Sequence, residues 1–381
     1  VIVGAGPAGS MACLTIKKQF QEAEVILIDK TDHIGYQGGC PYIYVDFPTA
    51  EFIQRQVFEE HEINIMKAEV KSIDYESKTV QTADSQISYD VLVLATGCAT
   101  DSQDLLNGRL YSTMQQIHQL KAANSVLVRG NTHQAIKLAL SIYAKYKCKV
   151  FLQIDFDQLK IEENIVEFAK KECRHLQLVK PDEELPAVDL KVDLTFLAQT
   201  QFEIKQNVIN QRENVFAIGS CCFLGNSQQF IYSQVVNLAK QLMKKNPPAV
   251  KFLYNQHYLL NGKCFGRAGI SLKEAQLIDP KSKLVTVKDS YRAEFMPTHE
   301  AVYLNYIVNS ELEILGVQIY SRHDCSKYME IAAVILHKNM KAIDLILQDF
   351  FFQPHFGKPF HIFNVAAVAA VGKVPPYEEY K

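Results

Sequence analysis

The 381-residue chain has no C-x-x-C pair and no cysteine–histidine grouping at zinc-finger spacing. No apolar run approaches the ~20 residues that a membrane helix needs. No charge of either sign is in excess: the formal net charge is −2. These absences argue against a sequence-encoded zinc module, a membrane span, and a partner such as nucleic acid or an anionic membrane surface. Tryptophan is also missing, which decides nothing. The nine cysteines, Cys13, Cys40, Cys98, Cys148, Cys173, Cys221, Cys222, Cys264 and Cys325, are scattered and odd in number. A disulfide framework is not expected, and a cytoplasmic, reducing location is. There is no internal repeat or low-complexity segment. The chain opens at Val1 inside an apolar run, which reads as a start a few residues into the protein rather than after a signal peptide. A hydrophobic share of 48% supports ordinary cores, and the length suggests about two or three domains.

What the chain does carry is concentrated at its start. Val1-Ile2-Val3 runs straight into Gly4-Ala5-Gly6-Pro7-Ala8-Gly9, a G-x-G-x-x-G turn. The apolar run Val25-Ile26-Leu27-Ile28 follows and ends in Asp29. Strand, glycine turn, helix, strand and acid at this spacing form a dinucleotide-binding fingerprint. Gly4 makes the tight turn, Gly6 lets backbone approach a pyrophosphate, and Gly9 lets the helix pack on the strand. The helix N-terminus faces the phosphates. Asp29 stands where a carboxylate accepts hydrogen bonds from the adenosine ribose.

Further along, a helix is expected over 49–60, with Phe52, Val57 and Phe58 as core positions. Short strands follow at 64–70, 79–82 and 86–89, then a buried parallel-type strand over Asp90–Gly97. Ser125–Gly130 opens a second strand–turn–helix unit, with a helix over 135–146, a strand over 149–154 and a helix over 162–173. Its turn, Gly130-Asn131-Thr132-His133, has one glycine where the first has three. Val192–Leu197 and Val215–Ser220 read as strands, and 229–244 as a helix. After Asn246-Pro247-Pro248 the character changes to alternating strands over 284–320 and helices at 325–338 and 341–349. This is a separate α+β region. Asp324 reads as the cap of the first of these helices, and Lys17-Lys18 and Lys244-Lys245 as solvated helix faces.

In this order, the motifs resemble the FAD-dependent pyridine nucleotide–disulfide oxidoreductases, and most of all the NADH oxidase, NADH peroxidase and coenzyme A-disulfide reductase branch. The carriers are Gly4–Gly9 with Asp29, Leu94-Ala95-Thr96-Gly97, Val215-Phe216-Ala217-Ile218-Gly219-Ser220-Cys221, Arg292–Pro297, the strand around Gly316, and Phe352-Gln353-Pro354-His355-Phe356. The resemblance implies an α/β fold of two Rossmann-like domains plus a C-terminal α+β dimerisation domain. The FAD-binding domain would take 1–123 and 191–248, a degenerate, shortened NAD(P)-binding domain 124–190, and the dimerisation domain 249–381. FAD would be held by Gly4, Gly6, Pro7, Ala8, Gly9, Asp29, Lys30, Ala95, Thr96, Gly97, Gly219 and Ser220. Electrons would pass from NAD(P)H through flavin to a small-molecule disulfide or to oxygen or peroxide, in a homodimer, with Cys40 as the redox centre.

The chain departs from the branch at several places. The family cysteine falls on Gly39 or Gly38, one or two residues before Cys40. Pro7 stands where oxidases and peroxidases carry histidine. Ser220 replaces an aspartate that accepts from the ribityl chain, and an uncharged acceptor binds more weakly. Phe352 replaces a tyrosine beside the partner's site, where His355 offers a different polar group. Asn131 and His133 fill a turn where the pyrophosphate of NAD(P)H needs glycine, and Asp155 or Asp157 is the remnant acid. These departures keep open a flavin-binding scaffold with impaired nicotinamide binding and little turnover. A plain NAD dehydrogenase using the first motif leaves the later motifs unexplained.

Overall fold

The computed structural model describes residues 1–30, 55–97, 99–100, 106–107, 120–194, 196–197, 214–221, 228–245 and 253–372. The chain divides into two compact units. One contains Val1–Gly130, Ala144–Phe151 and Glu184–Val250; the other contains Asn131–Tyr143, Leu152–Glu183 and Lys251–Lys381.

The first unit is built on a parallel sheet. Its strands are β1 (Ile2–Val3), β2 (Val25–Asp29), β3 (Ile63–Lys67), β7 (Leu92–Leu94) and β15 (Val215–Ala217), in the order β15-β7-β1-β2-β3. Every neighbour pairs in parallel, with Ile2 opposite Leu27 and Val93, and Val25 opposite Ile63. The central strands read as unbroken apolar runs because both of their faces are covered. On one face lie α1 (Pro7–Gln19) and α5 (Gln228–Leu242), enclosing Ile2, Ala12, Leu27, Val93, Val235 and Leu238. α2 (Arg55–Glu60) adds Phe58 to the same core. On the other face a small antiparallel meander, β4 (Ser72–Asp74), β5 (Thr79–Gln81) and β6 (Gln86–Ser88), brings Val80 and Ile87 over Ile28, Leu92 and Leu94. β8 (Ala99–Thr100) pairs antiparallel with β14 (Phe196–Leu197).

A second sheet has the order β12-β11-β10-β13-β9, from Gln177–Val179, Lys149–Gln153, Ser125–Gly130, Leu190–Leu194 and Leu106–Asn107, with β13 parallel to both β10 and β9. Both sheets agree with the Rossmann-like expectation. Element ends differ modestly from it. β3 stops at Lys67, β4 was not foreseen, α3 (His133–Tyr146) begins two residues early, and Phe52 lies outside the described residues.

The second unit holds a five-stranded antiparallel sheet, β16 (Gln256–Leu260), β17 (Lys263–Gly269), β18 (Lys283–Ser290), β19 (Ala301–Val308) and β20 (Ile314–Ser321), in the order β16-β17-β20-β19-β18. α7 (Ser326–His337), α8 (Ala342–Ile346) and α9 (Ile362–Val371) pack on one face, with Leu304, Tyr306, Val317, Met329, Leu345 and Phe363 in the core. The opposite face receives α4 (Glu163–Glu172). There Phe168 stacks on Tyr320 with centroids 4.0 Å apart and leans on Tyr303. Polar groups on that face are satisfied in pairs. Asn164 and Asn305 exchange amide hydrogen bonds of 3.0 and 2.8 Å, and Glu162 N–H donates to Gln318 at 2.7 Å. Buried Arg267 donates to the Leu159 carbonyl at 2.6 Å. Strands β16 and β17, α6 (Leu272–Ile278) and α9 were not foreseen. A buried arginine and glycines hide the alternation of β17, and α9 is too uniformly apolar to show a helical period.

Candidate functional site

In a parallel sheet the carboxyl ends of all strands lie on one edge, and a ligand crevice opens where successive connections leave in opposite directions. Here the chain passes from β1 to β2 on one side and later returns to β7 on the other side of β1. The switch point is therefore between β1 and β7. The glycine turn follows β1, and Ala95-Thr96-Gly97 follows β7.

The local geometry explains each residue type. Gly4 has φ +103°, and a Cβ there would stand 2.4 Å from the Ala95 carbonyl oxygen. A Cβ on Gly9 would stand 1.8 Å from the Gly4 carbonyl oxygen, so α1 can rest on β1 only with glycine at that position. Gly6 is the N-cap of α1 with extended backbone, and Pro7 opens the helix with a φ already suited to it. Ser10 closes the first turn by donating to the Ala5 carbonyl at 2.9 Å. The first N–H groups of α1 therefore lie beside the switch point, with the positive end of the helix dipole.

Asp29 ends β2, as expected. Its Oδ2 accepts the Ala5 N–H at 2.7 Å, so the carboxylate braces the glycine turn itself, a role its spacing alone did not reveal. Lys30 is exposed immediately after it. Ala95 N–H donates to Val3 at 2.8 Å, fixing β7 against β1, and Gly97 has φ +72°. From β15, Gly219 has φ +79° and approaches α1 so closely that a Cβ would lie 2.8 Å from the Ala8 Cβ. Ser220 is half-buried beside it, in a short 3-10 turn. Gly219 N–H donates to Oε1 of fully buried Gln234 at 3.0 Å, while Gln234 Nε2 has no hydrogen-bond partner among the described residues. A buried unpaired amide at the expected second flavin motif suits a site completed by a polar ligand. Sequence reasoning missed Gln234, because a single glutamine in an amphipathic helix gives no signal. Cys221 is buried, and its thiol donates to Ile218 and Leu94 carbonyls.

The structure thus brings together Gly4, Gly6, Pro7, Ala8, Gly9, Asp29, Ala95, Gly97, Gly219 and, at the same edge, Thr96 and Ser220. Cys40, with Gly38 and Gly39, lies outside the described residues, as does Cys222.

The second turn is filled. Thr132 Oγ1 is buried with no partner among the described residues. His133, the first residue of α3 (His133–Tyr146), stacks on Tyr258 with centroids 4.3 Å apart and an 11° tilt. Desolvation there, with help from Lys137 and Arg267, pushes the imidazole down to about 3. Of the two remnant acids, Asp155 accepts the Asp157 N–H at 3.0 Å and caps its own 3-10 turn.

Two smaller expectations change. Asp324 accepts the Ser326 N–H at 2.9 Å, but the N-cap of α7 is Cys325. Lys17 is not a solvated face residue: its ammonium donates to the Ala23 carbonyl at 3.1 Å and its side chain is 12% exposed. His355 lies in an exposed turn, with Nδ1 3.2 Å from Gln353 Nε2. No helix among the described residues is long and apolar enough to cross a membrane.

Residues 1–178 match the family model described as pyridine nucleotide-disulphide oxidoreductase. An NADH oxidase of Enterococcus faecalis is 25% identical over 443 aligned residues, covering 97% of this chain and 99% of that protein. A solved water-forming NADH oxidase from Lactobacillus brevis, bound to NADH, superposes with a TM-score of 0.87 at 21% identity, over 97% of each chain. A pyridine nucleotide-disulfide family oxidoreductase from Enterococcus faecalis superposes with a TM-score of 0.82 at 19% identity, over 97% of this chain and 98% of that one. With a glycine cradle at the switch point, an acid ending β2 and relatives matched along nearly the whole length, the chain is similar to the pyridine nucleotide-disulphide oxidoreductases and shares their fold.

Proposed function

We propose that the protein is an FAD-dependent NAD(P)H oxidoreductase of the NADH oxidase and coenzyme A-disulfide reductase type. The observation that carries this reading is the cradle around Gly4 and Gly9, where an added Cβ would strike the Ala95 or Gly4 carbonyl oxygen. Gly4, Gly6, Pro7, Ala8 and Gly9 would hold the FAD pyrophosphate at the start of α1. Asp29 and Lys30 would face the adenosine end, and Ala95, Thr96, Gly97, Gly219 and Ser220 the flavin end. Bound FAD would supply two-electron acceptance from NAD(P)H and delivery to a disulfide or to oxygen or peroxide. The chain's residues position that group: Asp29 holds the turn in shape through Ala5, and Gln234 holds Gly219 against Ala8. Cys40 is the proposed redox thiol, and a cytoplasmic location is part of the same reading.

The domain plan of the resemblance is kept as a proposal: FAD in 1–123 and 191–248, NAD(P)H in 124–190, and dimerisation through 249–381. Exposed Leu347, Phe351, Phe356 and Phe360, each 63% or more exposed, support a homodimer through the C-terminal region. A second reading is favoured by the filled turn. Asn131, Thr132 and His133 put side chains where the first turn has glycine, which would crowd a nicotinamide dinucleotide pyrophosphate and fits a flavin-binding protein with weak NAD(P)H binding and little turnover.

An anaerobic NADH titration of the flavin-loaded protein separates the two. Prompt bleaching of the visible flavin band supports the oxidoreductase; a yellow protein that does not bleach supports the scaffold. If Cys40→Ser leaves turnover unchanged, Cys40 is not the electron relay.

A further inference from the structure

The second unit contains a convergence of ligand-type side chains that the flavin reading leaves unused. His257 lies on β16, Cys264 on the adjacent strand β17, and Asp324 in the turn between β20 and α7. β16 and β17 pair antiparallel, with Cys264 opposite Leu259, so His257 and Cys264 share the face that α7 covers. Cys264 is also opposite Ser321 on β20, which brings the following turn and Asp324 alongside. The imidazole nitrogen, the thiol sulfur and a carboxylate oxygen all lie within 4.8 Å of one another.

We infer that His257, Cys264 and Asp324 form a binding site for a borderline divalent cation of the zinc type. The donor set of one nitrogen, one sulfur and one oxygen is the mixture such an ion takes, and three protein ligands leave a fourth position for water. Bond lengths of about 2.0–2.3 Å place ligand atoms of a tetrahedral ion roughly 3.3–3.8 Å apart, so contraction by about 1 Å closes the set. His257 and Asp324 are exposed and can turn, while Cys264 is buried and fixed by the sheet.

The surroundings support this chemistry. Asp324 accepts both the Ser326 N–H at 2.9 Å and the Ser326 hydroxyl at 3.1 Å, which orients the carboxylate and leaves each oxygen a further lone pair.

The test is a Co2+ titration of the full chain, loaded with flavin, reduced and freed of metal, followed by competition with Zn2+. The site predicts one Co2+ per chain, with thiolate-to-cobalt charge transfer and tetrahedral d–d absorption in the red, beyond flavin absorption. Zn2+ should abolish both signals. His257→Ala and Asp324→Asn alter exposed side chains and should each weaken binding by at least about tenfold with circular dichroism unchanged. Cys264→Ser should remove the charge-transfer band. Absence of a tetrahedral signal in the parent protein would overturn the inference. So would a band that survives both His257→Ala and Asp324→Asn, because the ion would then rest on other cysteines.

Discussion

Two strand–turn–helix junctions in this chain have the same connectivity and opposite contents. At the first, Gly4, Gly6 and Gly9 leave room that no side chain could enter without striking backbone. At the second, Asn131, Thr132 and His133 fill the corresponding turn, and His133 is pinned by the ring of Tyr258. Topology alone therefore does not leave bare backbone at the helix start. The helix dipole is present in both, but only the first offers bare backbone at the helix start. Asp29 sharpens the contrast by bracing the first turn, whereas Asp155 spends its acceptor on the neighbouring backbone.

The comparison can be broken most strongly at Gly9. Gly9→Ala places a Cβ 1.8 Å from the Gly4 oxygen and should cost about 3 kcal/mol of stability. It should also lower FAD affinity by at least about tenfold. Urea unfolding and flavin fluorescence check both.

The next effect concerns the filled turn and pH. His133 is held neutral, from an ordinary value near 6.5 down to about 3. Below pH 6.5 the unfolded chain takes up a proton that the folded chain refuses, so stability rises with pH between about 3 and 6.5 and is lost as pH falls. The loss from this residue should reach about 2 kcal/mol by pH 5. Denaturant midpoints of parent and His133→Gln, measured from pH 7 to 5, should diverge at neutral pH and converge on acidification.

A smaller effect sharpens the comparison by moving the second turn towards the first. Asn131→Gly with Thr132→Gly should tighten NADH binding by about tenfold, roughly 1.4 kcal/mol, read by calorimetry. No change would mean that the side chains at 131 and 132 are not the obstacle. The smallest effect is at Asp29. Asp29→Asn keeps an oxygen for Ala5 but loses the charge, and should cost about 1 kcal/mol in thermal unfolding.

The first junction was legible because its chemistry is local. Three glycines, a proline at the start of the helix and an acid at the end of β2 are written within thirty residues. Ala95–Gly97 and Gly219 could be placed for the same reason, as glycine turns ending apolar strands. What the sequence did not reveal depends on chain segments far apart. Tyr258 reaches His133 only after β16 forms, and His257, Cys264 and Asp324 meet only where β16, β17 and the turn after β20 converge. The second role of Asp29 was hidden because a carboxylate at the end of a strand can face inward to the turn as well as outward to a ribose. β17 was missed because Gly266 and Gly269 are there for close packing against Met329 and Leu315, which interrupts an alternating pattern.

The central claim is that the Gly4–Gly9 cradle holds FAD, and flavin stoichiometry tests it most directly. Protein stripped of nucleotide would be dialysed against FAD, freed of excess, and its bound flavin measured per chain for the parent and Gly9→Ala. The account predicts close to one FAD per parent chain and a sharp loss in a Gly9→Ala protein that still shows native circular dichroism. A folded parent that retains no flavin would contradict the account, and so would a folded variant that retains as much as the parent.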